Sequence, residues 1–225
     1  DFVHAGYPLD VEALLLCELD GSEADVQDQI NLVERQFRAS GASTVVVARD
    51  PIERARLWQG RKAAFPAVGR IAPDYYCMDG TIPRRELSRV LNRIAELSDK
   101  YALRVANVFH AGDGNLHPLI LYDANVAGQL VAAEAFGAEI LEMCVASGGT
   151  ITGEHGVGLE KIDQMCNQFS SDELQIFHGI KHAFDGRGIL NPGKAIPTLN
   201  RCAEFGAMHV RSGLGKETKS GLERF

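Results

Sequence analysis

The chain has 225 residues, 45% of them hydrophobic and 24% charged, enough apolar material for one folded domain with a tail. Its formal net charge of -7 argues against a nucleic-acid partner. No apolar run reaches the roughly 20 residues of a membrane span. Five cysteines without a CxxC pair fit a reduced, cytoplasmic protein better than a disulfide framework, and give no support to an iron–sulfur cluster within this chain.

In chain order, Ala13 to Glu18 is a short apolar run and reads as a buried strand. Asp20-Gly-Ser22 is a turn with Ser22 as a possible N-cap, and Val26, Ile30, Val33 and Phe37 follow at helical spacing. Ser40-Gly41 ends that helix, and Thr44 to Ala48 reads as a second strand. A helix between strands suits a ferredoxin-like α+β unit with an antiparallel sheet and helices packed on one side. Asp50-Pro51 opens the next helix, which runs through Trp58 and Arg61 until Pro66 and Gly69 break it. Tyr75 to Thr81 is a strand, and Pro83 opens a helix carrying Leu87, Val90, Leu91, Ile94 and Leu97 on one face. Val126 to Ser147 is a long helix stopped by Gly148-Gly149, with Cys144 on its apolar face. Leu159 to Phe169 is amphipathic, Ser171 to Phe184 is helical with Ser171 or Asp172 as its cap, and periodicity is lost after Pro197.

Two stretches carry the chemistry. In His110-Ala-Gly-Asp-Gly-Asn-Leu-His117, the strand from Val105 runs into Gly-Asp-Gly-Asn turn chemistry, and Leu119 to Tyr122 returns. A hairpin closed there brings His110 and His117 together at its mouth. In Gly148-Gly-Thr-Ile-Thr-Gly-Glu154-His155-Gly-Val-Gly158, glycines let the backbone approach a ligand closely. If extended, Glu154 and His155 point opposite ways, one toward a metal and the other toward a substrate. Two His and one Glu with an open position form a common ligand set for a catalytic divalent metal, zinc above all. Against this, a lone His on a strand is more often a half-buried structural residue than a ligand.

These two stretches, with Pro73-Asp-Tyr-Tyr-Cys-Met-Asp-Gly80, Asn191-Pro-Gly-Lys194 and Arg201-Cys-Ala-Glu-Phe-Gly-Ala-Met-His209, resemble the C-terminal part of the FAD-linked oxidases. That family includes D-lactate dehydrogenases, D-2-hydroxyglutarate dehydrogenase and the flavin subunits of bacterial glycolate oxidases, the last being the nearest match. The resemblance implies a substrate- and metal-binding domain over residues 1–197, a tail over 198–225, and an N-terminal FAD-binding domain lying outside this chain. It implies oxidation of a small 2-hydroxy acid with hydride passing to FAD, glycolate to glyoxylate first and D-lactate as the alternative. His110, His117 and Glu154 would hold the metal (zinc, with manganese and iron open), and His155 would be the base. Arg61 would bind the substrate carboxylate, Asn115 would donate a hydrogen bond to the substrate, and Asn191 would lie near the flavin. Where the 2-hydroxyglutarate enzyme has a lysine for a second carboxylate, this chain has Cys77, which favours a monocarboxylate. Implied partners are the FAD-binding domain and other oxidase subunits, including an iron–sulfur subunit, with peripheral association at the inner membrane.

Two readings of other classes stand beside this one. A metal-dependent hydrolase could use the same His, His, Glu set with bound water as nucleophile. Alternatively, the 225 residues alone form a binding module that is inert in redox assays without the flavin.

Overall fold

The structure is a computed structural model, and it describes residues 3–198 and Cys202. The remaining residues, which include most of the expected tail and all of the Arg201-to-His209 motif except Cys202, lie outside the described residues. The chain divides into two units, Asp1–Arg70 and Ile71–Phe225.

In the first unit α1 (Glu23–Ala39) starts where the Ser22 hydroxyl accepts from the Asp25 N–H, and α2 (Pro51–Lys62) starts where Asp50 accepts from the Glu53 N–H, with proline in the first turn. Both caps satisfy amide groups that a helix leaves open at its start. α3 (Ala64–Val68) follows at once. Neither α1 nor α2 buries a residue completely. The two segments read as strands, Ala13 to Glu18 and Thr44 to Ala48, form no ladder. Their apolar side chains instead line an open cleft of about 280 Å³ with Val26, Ile30 and Phe37 of α1 and Trp58 of α2. Leu15 and Val46 each remain 59% exposed there, so the burial that a core strand requires is missing.

The second unit carries the antiparallel sheet. β1 (Asp74–Cys77) and β3 (Val105–Asn107) flank β5 (Pro118–Tyr122), with Tyr76 opposite Ile120 on one side and Val105 opposite Ile120 on the other. The expected strand Tyr75 to Thr81 is broken in two: β1 ends at Cys77, and Gly80–Thr81 forms a separate β2 that pairs with β4 (Asn115–Leu116). α4 (Leu87–Tyr101) presents Val90, Ile94 and Leu97 to the core, and α5 (Gln129–Ala146) presents Phe136, Ile140, Leu141 and Cys144. The two helices pack on each other and on the sheet, and Phe136 stacks on Tyr101 with ring centroids 5.5 Å apart. The amphipathic segment Leu159 to Phe169 forms turns followed by the short α6 (Met165–Gln168). α7 (Ser171–Phe184) has the expected range, but its cap is Ser170 and not Ser171 or Asp172, with Ser170 and Glu173 closing a capping box. These helices and small antiparallel sheets make the chain an α+β protein.

The cysteines depart from expectation. Cys166 and Cys202 form a disulfide with Cα atoms 5.3 Å apart, and Cys17, Cys77 and Cys144 are free. Thirty-six residues separate the pair, and only the fold brings them together. Among the described residues no helix is long and apolar enough to cross a membrane.

Candidate metal and substrate site

The short strand β2 is the hub of the site. On one side Thr81 lies opposite Asn115 of β4, at the end of the first histidine stretch. On the other side it bridges to Thr150, in the second stretch: the Thr81 N–H donates to the Thr150 carbonyl at 3.0 Å and the Thr150 N–H returns a bond at 3.1 Å. Their hydroxyl oxygens lie 2.6 Å apart. Two glycines make this close approach possible. A Cβ at Gly114 would strike the Ile82 carbonyl, and one at Gly149 would strike the Thr81 carbonyl. Gly114 and Gly149 are therefore required by main-chain packing.

The first stretch closes as expected. The His110 N–H donates to the Asn115 carbonyl at 2.9 Å, and the Asp113 N–H donates to the His110 carbonyl at 3.1 Å. The His110 and His117 rings meet edge to face with centroids 5.6 Å apart. His117 is buried, while His110 is half-exposed.

The second stretch is shaped by a residue that the sequence reading did not single out. The carboxylate of Asp79, in the link between β1 and β2, is fully buried. Its Oδ2 accepts from the Thr152 hydroxyl at 2.8 Å and from the N–H groups of Gly153 at 2.8 Å, His155 at 3.0 Å and Glu154 at 3.1 Å. Lys161, also buried, donates to Asp79 Oδ2 at 3.2 Å and to its carbonyl. Burial alone would push this carboxyl up. The His155 N–H, the Thr152 hydroxyl, the Gly153 N–H and the Lys161 ammonium outweigh it and hold the pKa far below the usual carboxylate range. Burial lowers the pKa of Lys161, with Asp79 opposing. An aspartate between two strands and a lysine in an amphipathic segment look ordinary in the sequence, so only the tertiary structure reveals this pair.

Because consecutive amides turn toward one carboxylate, residues 153–156 are bent rather than extended, with Gly156 at φ 82°. This corrects the expected opposition of Glu154 and His155, which instead converge. The Nε2 atoms of His117, His110 and His155 lie 3.0, 3.9 and 3.9 Å from Glu154 Oε1. His155 also stacks on His117, with ring centroids 4.8 Å apart. The result is a buried imidazole, His117, beneath three half-exposed groups, an arrangement open to a small ligand from one side. Burial, reinforced by His155, lowers the pKa of His117 against the pull of Asp79 and Glu154, which favours the neutral imidazole that a metal needs.

Two groups of ligand atoms lie within 4.8 Å of one another: His110, His117 and Glu154, and Asp79, His117 and His155. Asn115 faces the same loop. Its carboxamide would collide with any Cβ at Gly153, and its buried Oδ1 has no hydrogen-bond donor among the described residues. The other two expected site residues lie elsewhere in the chain. Arg61 is in the last turn of α2 in the first unit. Asn191 has left-handed backbone in the turn after α7, and that turn is tied to the second stretch by the Ala195 N–H bond to the Gly158 carbonyl.

The family described as "FAD linked oxidases, C-terminal domain" matches residues 1–195. The chain is 65% identical over 213 residues to "Glycolate oxidase subunit GlcD" of Escherichia coli (strain K12), covering 95% of this chain and 43% of that protein. It is 34% identical over 194 residues to the protein of the same name from Bacillus subtilis (strain 168), covering 86% and 41%. To "D-lactate dehydrogenase [cytochrome], mitochondrial" of Arabidopsis thaliana it is 32% identical over 185 residues, covering 81% and 33%. The chain thus spans less than half the length of these relatives. The hairpin histidines and the Glu-His loop lie inside the matched region, and the chain belongs to the FAD-linked oxidase family through its C-terminal domain.

Proposed function

We propose that this chain is the substrate- and metal-binding part of a flavin-dependent 2-hydroxy acid oxidoreductase that converts glycolate to glyoxylate. The observation that carries this reading is the convergence of three imidazole Nε2 atoms on one Glu154 oxygen beside the buried Asn115 side-chain Oδ1, which has no hydrogen-bond donor among the described residues.

The donor set fits a divalent metal. Two nitrogens and a carboxylate oxygen from His110, His117 and Glu154 suit zinc, manganese or iron, and the half-exposed side leaves a position for substrate. When bound, such an ion supplies Lewis acidity that lowers the pKa of a ligated hydroxyl. Asp79 is the less suitable ligand because its oxygens already serve the loop amides and Lys161. The flavin fits differently. The described residues contain no glycine-rich turn between a strand and a helix that would cradle a pyrophosphate. We therefore assign FAD chiefly to the part of the relatives that this chain does not span, with Asn191 as its contact here. When bound, FAD would supply the hydride-accepting chemistry, which is the cofactor's own.

The remaining work falls to this chain's side chains. His155 Nε2, half-exposed beside Glu154 and His117, takes the hydroxyl proton as the general base. Asn115 orients the substrate by hydrogen bonding. The Arg61 guanidinium pairs with the substrate carboxylate through its two-pronged geometry. Cys77, a neutral thiol whose pKa burial pushes up to about 11, offers no cation for a second carboxylate, in keeping with glycolate or D-lactate. The FAD-binding part, further oxidase subunits including an iron–sulfur subunit, and peripheral attachment to the inner membrane complete this reading.

The test is metal content by elemental analysis and glycolate-dependent dye reduction by the intact protein, wild type beside His117→Ala and His155→Ala. We expect about one divalent ion per chain, lost in His117→Ala, and turnover abolished with metal retained in His155→Ala. Normal turnover in His155→Ala refutes the base assignment, and kcat/KM for glycolate against D-lactate identifies the substrate.

A further inference from the structure

We propose that Asp79, with Lys161 as its buried counter-ion, is a positioning residue of this site: its carboxylate bends the Thr152–Gly156 loop so that Glu154 and His155 face His117 together. The inference rests on the metal-site reading above and assigns Asp79 a role outside the ligand set.

Neighbouring residues in an extended chain send their side chains to opposite faces. Glu154 and His155 are neighbours, yet both approach His117, and a specific device must account for this. Three successive amides, Gly153, Glu154 and His155, all point at Asp79 Oδ2, between 2.8 and 3.1 Å. Such a concave run of N–H groups binds an anion and fixes the backbone around it. The Thr152 hydroxyl adds a fourth donor and itself accepts from the Gly156 N–H at 2.9 Å, which closes the loop at both ends.

With the Lys161 ammonium at 3.2 Å, Oδ2 receives five donors and has no lone pair left for a cation. Oδ1 accepts from the Glu154 N–H at 3.2 Å and lies 3.6 Å from His117 Nε2. On this reading the neighbouring Asp79, His117, His155 grouping supports the ligand set, with Asp79 committed to the loop through Oδ2. Lys161 matters because an unpaired carboxylate so deeply buried would be strongly destabilising, and removing either partner alone leaves a buried charge uncompensated. Asparagine at position 79 has nearly the same shape but carries no charge and offers a single acceptor oxygen: with that oxygen turned to the loop donors, its N–H₂ group meets the Glu154 N–H where Oδ1 accepted, and Lys161 loses its counter-ion.

The test is Co²⁺ titration of the full chain, followed by visible absorption, with melting temperature measured in parallel. The variants are Asp79→Asn, Lys161→Met, the double variant Asp79→Asn/Lys161→Met, and His117→Ala as the control that removes a ligand. Groups that orient metal ligands typically change affinity by about 10–100-fold when lost. We expect Asp79→Asn to bind Co²⁺ that much more weakly with a changed absorption band. The double variant, free of an unmatched charge, should regain melting temperature over either single variant without regaining affinity or band. Should Asp79→Asn fail to fold, the double variant decides alone. Wild-type affinity and spectrum in Asp79→Asn overturn the positioning role, as does a double variant that recovers affinity together with stability. A wild-type chain that takes up no Co²⁺, or an unaltered His117→Ala, refutes the metal reading itself and the positioning role with it.

Discussion

Replacing Gly149 with alanine would separate the two halves of the site at their common strand. A Cβ there would run into the Thr81 carbonyl, with the Thr81 carbonyl carbon at 2.7 Å and the Ile82 Cα at 2.9 Å. All of these atoms are main chain, so no side chain can swing aside, and the loop must withdraw from β2. Withdrawal breaks the two main-chain bonds between Thr81 and Thr150, at 3.0 and 3.1 Å, and the 2.6 Å contact between their hydroxyls. At about 1 kcal/mol net for each hydrogen bond, the loss is about 3 kcal/mol. The same movement carries Glu154 and His155 away from His117, so metal content should fall as well. Gly148→Ala is the control. Gly148 has positive φ and nothing within 4 Å of its would-be Cβ, so alanine there meets only the left-handed backbone penalty of about 1–2 kcal/mol. Urea unfolding and elemental analysis of both variants measure the two effects. If Gly149→Ala costs no more than Gly148→Ala and keeps its metal, then β2 is not the hub that joins the two stretches.

The core, the acid response and the thiols give further tests. Phe136, fully buried and stacked on Tyr101, should cost about 3–5 kcal/mol when cut to alanine, whereas Val131→Ala, on the exposed face of the same helix, should stay within about 0.5 kcal/mol by urea unfolding. The folded pKa of His117 lies below its ordinary 6.5, so the unfolded chain takes up this proton first as pH drops. Metal-free protein should therefore lose stability from about pH 6.5 downward, with no contribution above it, and an acid response unchanged in His117→Gln would refute this. Burial pushes the Cys144 thiol up to about 12 and the Cys77 thiol up to about 11, while Cys17 is exposed. A thiol reagent at neutral pH should find one fast site in the native chain and three in denaturant, with the Cys166–Cys202 pair appearing only after reduction.

What could be read from the sequence was decided locally. Ser22 and Asp50-Pro51 start α1 and α2 because a cap needs only the next few amides. Val90, Ile94 and Leu97 mark the buried face of α4 because helical spacing is a property of the segment itself. The histidine hairpin was legible for the same reason: its turn chemistry and both strands lie within eighteen residues, Val105 to Tyr122. The apolar runs at 13–18 and 44–48 have strand-like composition, but a strand exists only through its neighbour's ladder, and composition does not name the neighbour.

The Glu-His loop shows the same limit at the site. Its glycines were visible, and they do permit close approach, but what approaches is the main chain of Thr81 and Ile82, almost seventy residues earlier. The direction of Glu154 depends on a carboxylate seventy-five positions away, and that carboxylate depends on a lysine eighty-two positions from it. No local pattern records such a dependence, since Lys161 sits among Glu160, Ile162 and Asp163 and would pass for a solvated residue. The meeting of His110 and His117 could be read from their hairpin. The turn of Glu154 and His155 toward His117 could not, because on the reading proposed above it depends on a buried charge pair whose members are ordinary residues in ordinary surroundings until the chain folds.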